Sequence, residues 1–358
     1  MAALMVNELK QKDHLNLFSE ALNNPPRDIA QILQDILKHF GHTHTIQEIN
    51  DLNNLLAWVL YARRPLTLAE VNAAAGLESD HGPFLNIRDK IESEFSAYFS
   101  VNDIGRKPSK SNPKDITLDT LMNADQKDER LQALQDPENL EDSEEALLRL
   151  THSSITRFFR SAAKVEINSK GVALGVTADE AHTRLLKTCL KLLCIKEPIQ
   201  AVGSISTSNK LLKYAANQFL DHLVILQPSQ MPIQEKAEIA NYMLQVFHDD
   251  EVVERWLGSS KSLPMWYSMN EVDHIWALVS DENLRQGFSP ENRALITDTN
   301  ISKAQKILGA VAKYIARKWL EYPDSKREPY EWFYSLSYLR QIVSVYPIIR
   351  NSSNYGFD

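Results

Sequence analysis

Three times in this chain a threonine stands three residues ahead of a glutamate at the threshold of a helix-spaced run: Thr45 with Glu48, Thr67 with Glu70, and Thr177 with Glu180. In such a capping box the threonine hydroxyl accepts the N–H of the third helical residue, and the glutamate reaches back to the threonine N–H. Two orphan donors of the helix start are thereby satisfied together. Each box fixes where a helix begins. Behind the first, Ile46, Ile49, Leu52, Leu55, Leu56, Val59 and Leu60 follow one face until Pro65, which cannot continue a helix. Behind the second comes a short helix that Gly76 is expected to close in a left-handed conformation. A third helix is expected over about 84–97, from Phe84, Leu85, Ile87, Ile91 and Phe95, and "AYFSVND" reads as a strand. With a further helix opening at His152, these elements outline a winged helix domain over 45–176, a three-helix core with a short β wing.

The flanking sections differ in character. Residues 1–44 are expected to be terminal helices of a preceding module, with Ile29, Ile32, Leu33, Ile36 and Leu37 at helical spacing after Pro25 and Pro26. Residues 104–146 are polar and mostly acidic. They carry too few large apolar residues to offset their ordering entropy, so they are expected to be a mobile insertion in the wing. Residues 177–358 run helix after helix, from "TADEAHTRLLKTCLKLLC" to "EPYEWFYSLSYLRQIVSVY", with no regular repeat; an irregular array of helical pairs is expected. Trp256, Trp266, Trp276, Trp319 and Trp332 gather there and are expected to be core knobs between packed helices. Only 11 glycines in 358 residues favour helix over turn-rich sheet, so the fold class expected is mostly α.

Several functions are disfavoured by what the sequence lacks. None of the glycines precedes a lysine, so the phosphate loop of a nucleotide hydrolase is absent. Ser153 and Ser154 stand in no nucleophile elbow. His42 and His44 read as loop residues without a metal-ligand pattern, and "HDDE" at 248–251 reads as a solvated helix end. Cys189 and Cys194, five apart on a helix, are rotated by about 140° from each other and cannot share a metal or a disulfide. They suit a cytoplasmic protein. No apolar run approaches a membrane span and "MAALMVNELKQKD" is no signal peptide. A net charge of -8 gives no general attraction for nucleic acid, and "LAEVNAAAGL", taken as the helix that would read bases, has no basic residue. Arg63 and Arg64 are read as a solvated helix end stabilised by the helix dipole, with contact to phosphate groups as the alternative. No catalytic or metal-binding residue is assigned. His152 remains: Ser153 or Ser154 is expected to cap the following helix, which sets the imidazole beside an N-terminus that favours anions.

The array "LLAWVLYARRPLTLAEV", "IESEFSAYFSV", "LTHSSITRFFR", "DEAHTRLLKTCLKLL" and "LLKYAANQFLDHL" resembles the region just after the nucleotide-binding core of fungal NACHT proteins. These are NOD-like members of the STAND class of signalling NTPases. The resemblance runs from residue 1 to about residue 225, and beyond that it is a general likeness to the helical stem of the family. It implies that His152, in a motif with Ser154, Phe158 and Phe159, contacts the β-phosphate of bound ADP and holds the closed form. Arg157 stands where animal members carry glutamate. It further implies a non-catalytic regulatory segment whose intact parent uses ADP and ATP with Mg, and whose partners are an upstream NACHT core and downstream sensor repeats. Two other expectations compete: a stand-alone helical adaptor binding partner proteins through about 200–350, and a DNA-binding winged helix.

Overall fold

A computed structural model describes residues 29–78, 82–102, 146–161, 164–167, 171–197, 205–259, 269–300 and 303–321. The fold is mostly α, with two small antiparallel sheets among the described residues. Contacts divide the chain into two units, Met1–Ala181 and His182–Asp358. The expected division at residue 44 leaves no mark in that separation, since α1 (Ile29–Thr43) packs on α5 and β3, introduced below, within the first unit.

All three capping boxes form. Glu48 N–H donates to Thr45 Oγ1 at 3.3 Å and Thr45 N–H to Glu48 Oε2 at 2.7 Å, starting α2 (Ile46–Tyr61). The same pair of bonds, at 3.2 and 2.9 Å, joins Thr67 and Glu70 at the start of α3 (Leu68–Glu78). At Thr177 and Glu180 they open α6 (Ala178–Cys194), at 3.3 and 3.1 Å. Helix α2 buries Ile49, Leu52, Leu55, Leu56, Trp58 and Leu60 completely or nearly so, each side chain contributing roughly 1.5–3 kcal/mol by leaving water.

Two expectations in this region are corrected. Gly76 does not close α3, which runs on to Glu78, and its φ is not positive. Its lack of a side chain serves a close approach instead, because a Cβ there would lie 2.8 Å from Pro83 N and 2.9 Å from Pro83 Cβ and Cδ. The third helix, α4, spans Ile87–Ser93 and not 84–97. Phe84 cannot join it: its N–H donates to Asn72 Oδ1 at 2.8 Å and its carbonyl accepts from Asn72 Nδ2 at 3.0 Å, tying that backbone sideways to α3. Asn86 caps α4 by accepting the Asp89 N–H, and Phe95, fully buried, lies in the turn beyond it.

Strand β1 (Phe99–Asn102) pairs antiparallel with β2 (Leu147–Leu150), with Phe99 opposite Leu150. Thr67 adds a bridge to Leu147, so the order in this region is helix, bridge, two helices and hairpin. The cations of α4 are ion-paired, Arg88 to Glu92 at 3.6 Å and Lys90 to Asp51 and Glu94 at 3.3 and 3.4 Å. The expected insertion 104–146 lies outside the described residues except for Ala146, which is fully buried and accepts the Leu68 N–H at 2.7 Å.

Helix α5 (Ser153–Ser161) follows, then a hairpin the sequence reading did not anticipate, β3 (Val165–Ile167) with β4 (Val172–Leu174). Gly171, at φ +63, supplies a left-handed residue in its turn. Asn53 of α2 holds the hairpin, donating to Ala173 O at 2.9 Å and accepting the Gly175 N–H at 2.8 Å.

In the second unit α7 (Ile205–Ile225), α8 (Ile233–His248), α9 (Asp250–Ser259), α10 (Met269–Val279), α11 (Pro290–Thr297) and α12 (Lys303–Glu321) form an irregular array. In it α8 packs against α9, α10 and α12, while α7 packs against α9 and α10. Trp256 is fully buried, edge-on to Phe219 and Phe247 at 5.3 Å each, and donates its indole N–H to Ala216 O at 3.0 Å. It is a core knob, as expected. Trp266, Trp332 and the segment 328–346 lie outside the described residues, and the side chain of Trp319 does too. Cys189 and Cys194 are unlinked, and burial pushes the Cys194 thiol up to about 12.

Candidate functional site

The serines after His152 do not cap α5; His152 does. Its Nδ1 accepts the Ser154 N–H at 3.1 Å and its carbonyl accepts the Ile155 N–H at 3.0 Å. This corrects the expected serine cap. Imidazole competes here because β2 ends at Leu150 and leaves only Thr151 and His152 to turn the chain into α5, which brings the ring level with the first helical N–H groups. With Nδ1 engaged as an acceptor, the proton of the neutral ring sits on Nε2, an assignment that follows from the hydrogen bond. His152 is exposed, so Nε2–H is the polar face it offers outward.

His152 lines a cavity of about 410 Å³ formed by the end of α2, the segment that follows it, β2 and α5. Four arginines line the same cavity: Arg63 and Arg64 after α2, Arg149 on β2 and Arg160 on α5. No carboxylate is among the described lining residues, and Ser153 and Thr156 add two hydroxyls. Each wall is fixed by a local cause. Arg64 makes a bidentate pair with Glu70, at 2.7 and 3.1 Å, and Glu70 is 1% exposed and also closes the second capping box. Arg160 donates to Leu60 O at 2.7 Å, tying α5 to the last turn of α2. Leu148 alternates inward and Arg149 outward on β2, as a half-buried strand requires.

The other residues of the motif serve the fold. Phe158 and Phe159 are buried and meet edge-on at 5.3 Å, which anchors α5 to the unit's core. Ser154 is half-buried and does not line the cavity; what it contributes is the N–H that orients His152. Arg157 is exposed and its carbonyl accepts the Ser161 hydroxyl at 2.7 Å. Arg63 and Arg64, expected as a solvated helix end with phosphate contact as the alternative, both line the cavity. It passed over Arg149 and Arg160 altogether. Arg149 had a signal, the one charged residue in "LLRL" three places before the histidine. Arg160 reaches the cavity only through the packing of α5 on α2, which no local pattern announces.

Of the two histidines noted elsewhere, His44 lies in the connection between α1 and α2 as expected, and His42 does not lie in a loop. His42 belongs to the last turn of α1, and His44 stacks on Phe40 at 3.7 Å between ring centres. Among the described residues no cluster of His, Cys, Asp or Glu could hold a metal ion, and no helix is long and apolar enough to cross a membrane.

Chemically, the cavity suits an anion. Guanidinium groups present planar donor forks to phosphate or carboxylate, and the imidazole Nε2–H adds a further donor beside them. Compared with protein-family models, with curated proteins and with solved structures, the chain matches none.

Proposed function

We propose that this chain is a non-catalytic regulatory segment of a NOD-like, STAND-class signalling NTPase, in which His152 and the arginine cavity receive a phosphate of ADP held by an upstream nucleotide-binding core. One observation carries the reading: the histidine that the NACHT resemblance singles out lines a cavity with four arginines. A structural histidine has no need of such company. The nucleotide with its Mg is supplied by the core; this chain's part is to donate hydrogen bonds to one phosphate and so to bridge two domains. Exchange of ADP for ATP alters that contact, and the difference in contact between the two states is what makes a switch. Downstream sensor repeats would bias the same equilibrium through the helical second unit. The cytosol is the compartment such a receptor uses.

Replacing His152 by leucine in the intact receptor tests this. The expected result is ligand-independent oligomerisation by size-exclusion chromatography with light scattering; a variant that stays monomeric refutes the role given to His152.

A further inference from the structure

A second cavity, of about 300 Å³, opens between the C-terminal half of α1 and the turn joining α4 to β1. Its walls include Phe40, His44, Glu94 and Tyr98. Tyr98 is 1% exposed, and its hydroxyl is buried without a hydrogen-bond partner among the described residues; burial pushes its ionisation up. Four residues earlier in the same turn Glu94 Oε2 is likewise buried without a hydrogen bond, and the Lys90 ammonium at 3.4 Å from it lacks hydrogen-bond alignment. Two buried oxygens on residues that line one cavity, neither with a hydrogen-bond partner, are an exception that native packing ordinarily removes.

The charge around them has a sign. Lys90 is shared with Asp51 at 3.3 Å, and Glu48 lies close enough to His44 and Lys90 for both to lower its carboxyl, after the larger effect of the Thr45 N–H. Three carboxylates thus surround one lysine. Aromatic faces complete the wall: Phe40 stacks on His44, and Tyr98 stands edge-on to Phe40 at 6.1 Å. Ring faces and a partly compensated carboxylate both favour a compact cation with N–H donors.

We propose that this cavity binds a small primary amine in its protonated form, with the ammonium between Glu94 Oε2 and the Tyr98 hydroxyl and a short apolar stem against Phe40. The proposal is independent of the His152 cavity. The test titrates the 358-residue chain with butylammonium, butanol and butyrate, read by calorimetry and by the shift in Tm. Butylammonium is expected to bind at least about tenfold tighter than butanol, with butyrate excluded. Glu94→Gln is expected to remove that preference, Tyr98→Phe to weaken it, and His152→Gln to leave it unchanged. Equal binding of butylammonium and butanol by the unaltered chain, or binding of neither, overturns the proposal without bearing on His152.

Discussion

Replacing Gly76 by alanine sets two effects of known size against each other. Gly76 lies within α3 without a positive φ, so the new methyl gains the helical preference of alanine over glycine, about 1 kcal/mol. Against this, the Cβ would meet Pro83 N at 2.8 Å and Pro83 Cβ and Cδ at 2.9 Å. These are backbone and ring atoms that cannot swing aside as the end of a lysine can. The segment at Pro83 is also pinned one residue on, where Asn72 holds both the N–H and the carbonyl of Phe84. Relief therefore means moving that backbone by roughly half an ångström, an overpacking cost of about 1–3 kcal/mol. The strain wins, and Gly76→Ala is expected to destabilise by about 1 kcal/mol, a fall in Tm of a few degrees. Gly309 supplies the contrast: it is also helical, with nothing within 4 Å of its Cβ position, so Gly309→Ala is expected to raise stability by up to about 1 kcal/mol. Urea denaturation of both variants decides. Equal stabilisation by the two substitutions refutes the close approach at Pro83.

Asn53→Ala removes both bonds that tie α2 to the second hairpin and leaves the buried Gly175 N–H unpaired, so a loss of about 2–3 kcal/mol is expected in the urea midpoint. His248 carries a buried Nε2 without a hydrogen bond, and burial pushes its pKa down to about 4. The unfolded chain then takes up a proton that the folded chain refuses between about pH 6.5 and 4, so stability falls across that window as pH drops, by an amount on the order of 3 kcal/mol. His248→Phe is expected to flatten this slope in pH-dependent denaturation. Burial raises the Glu180 carboxyl, but the Lys164 ammonium and the Thr177 N–H outweigh it and hold it below the usual range. Its contribution is therefore present above the unfolded value and lost as pH falls through the folded one, and Lys164→Met is expected to shrink that acid limb. If the proposed switch operates, Arg149→Gln in the intact protein is expected to weaken ADP retention by roughly tenfold, as loss of one charge-assisted contact does.

What the sequence made legible were the helix starts. A capping box is a local device, four residues long, and its bonds depend little on the tertiary surroundings; all three were placed correctly for that reason. Helix ends were less legible because they depend on partners far away. The stop before Ile87 is set by Asn72, twelve residues upstream of the backbone it holds, and the run of α3 past Gly76 by space that Pro83 fills. The second hairpin had a readable pattern, Val165 and Ile167 against Val172 and Leu174 around a glycine, and it was passed over among helical signals. At the site, His152 was legible as a helix-terminal residue, while its role as the cap was not, since an imidazole cap is indistinguishable in sequence from a serine one. The arginine wall belongs to three elements, and only packing brings Arg63, Arg149 and Arg160 together.

In the proposed switch His152 donates to a nucleotide phosphate held by another domain. Its most direct measurement is the ADP content of the purified intact receptor, quantified per chain by chromatography after denaturation, for the unaltered protein and for His152→Leu. Near-stoichiometric ADP in the former and a marked loss in the latter, with the fold intact by circular dichroism, is the result predicted here. Equal ADP in both proteins contradicts it and returns His152 to the part of a helix cap alone.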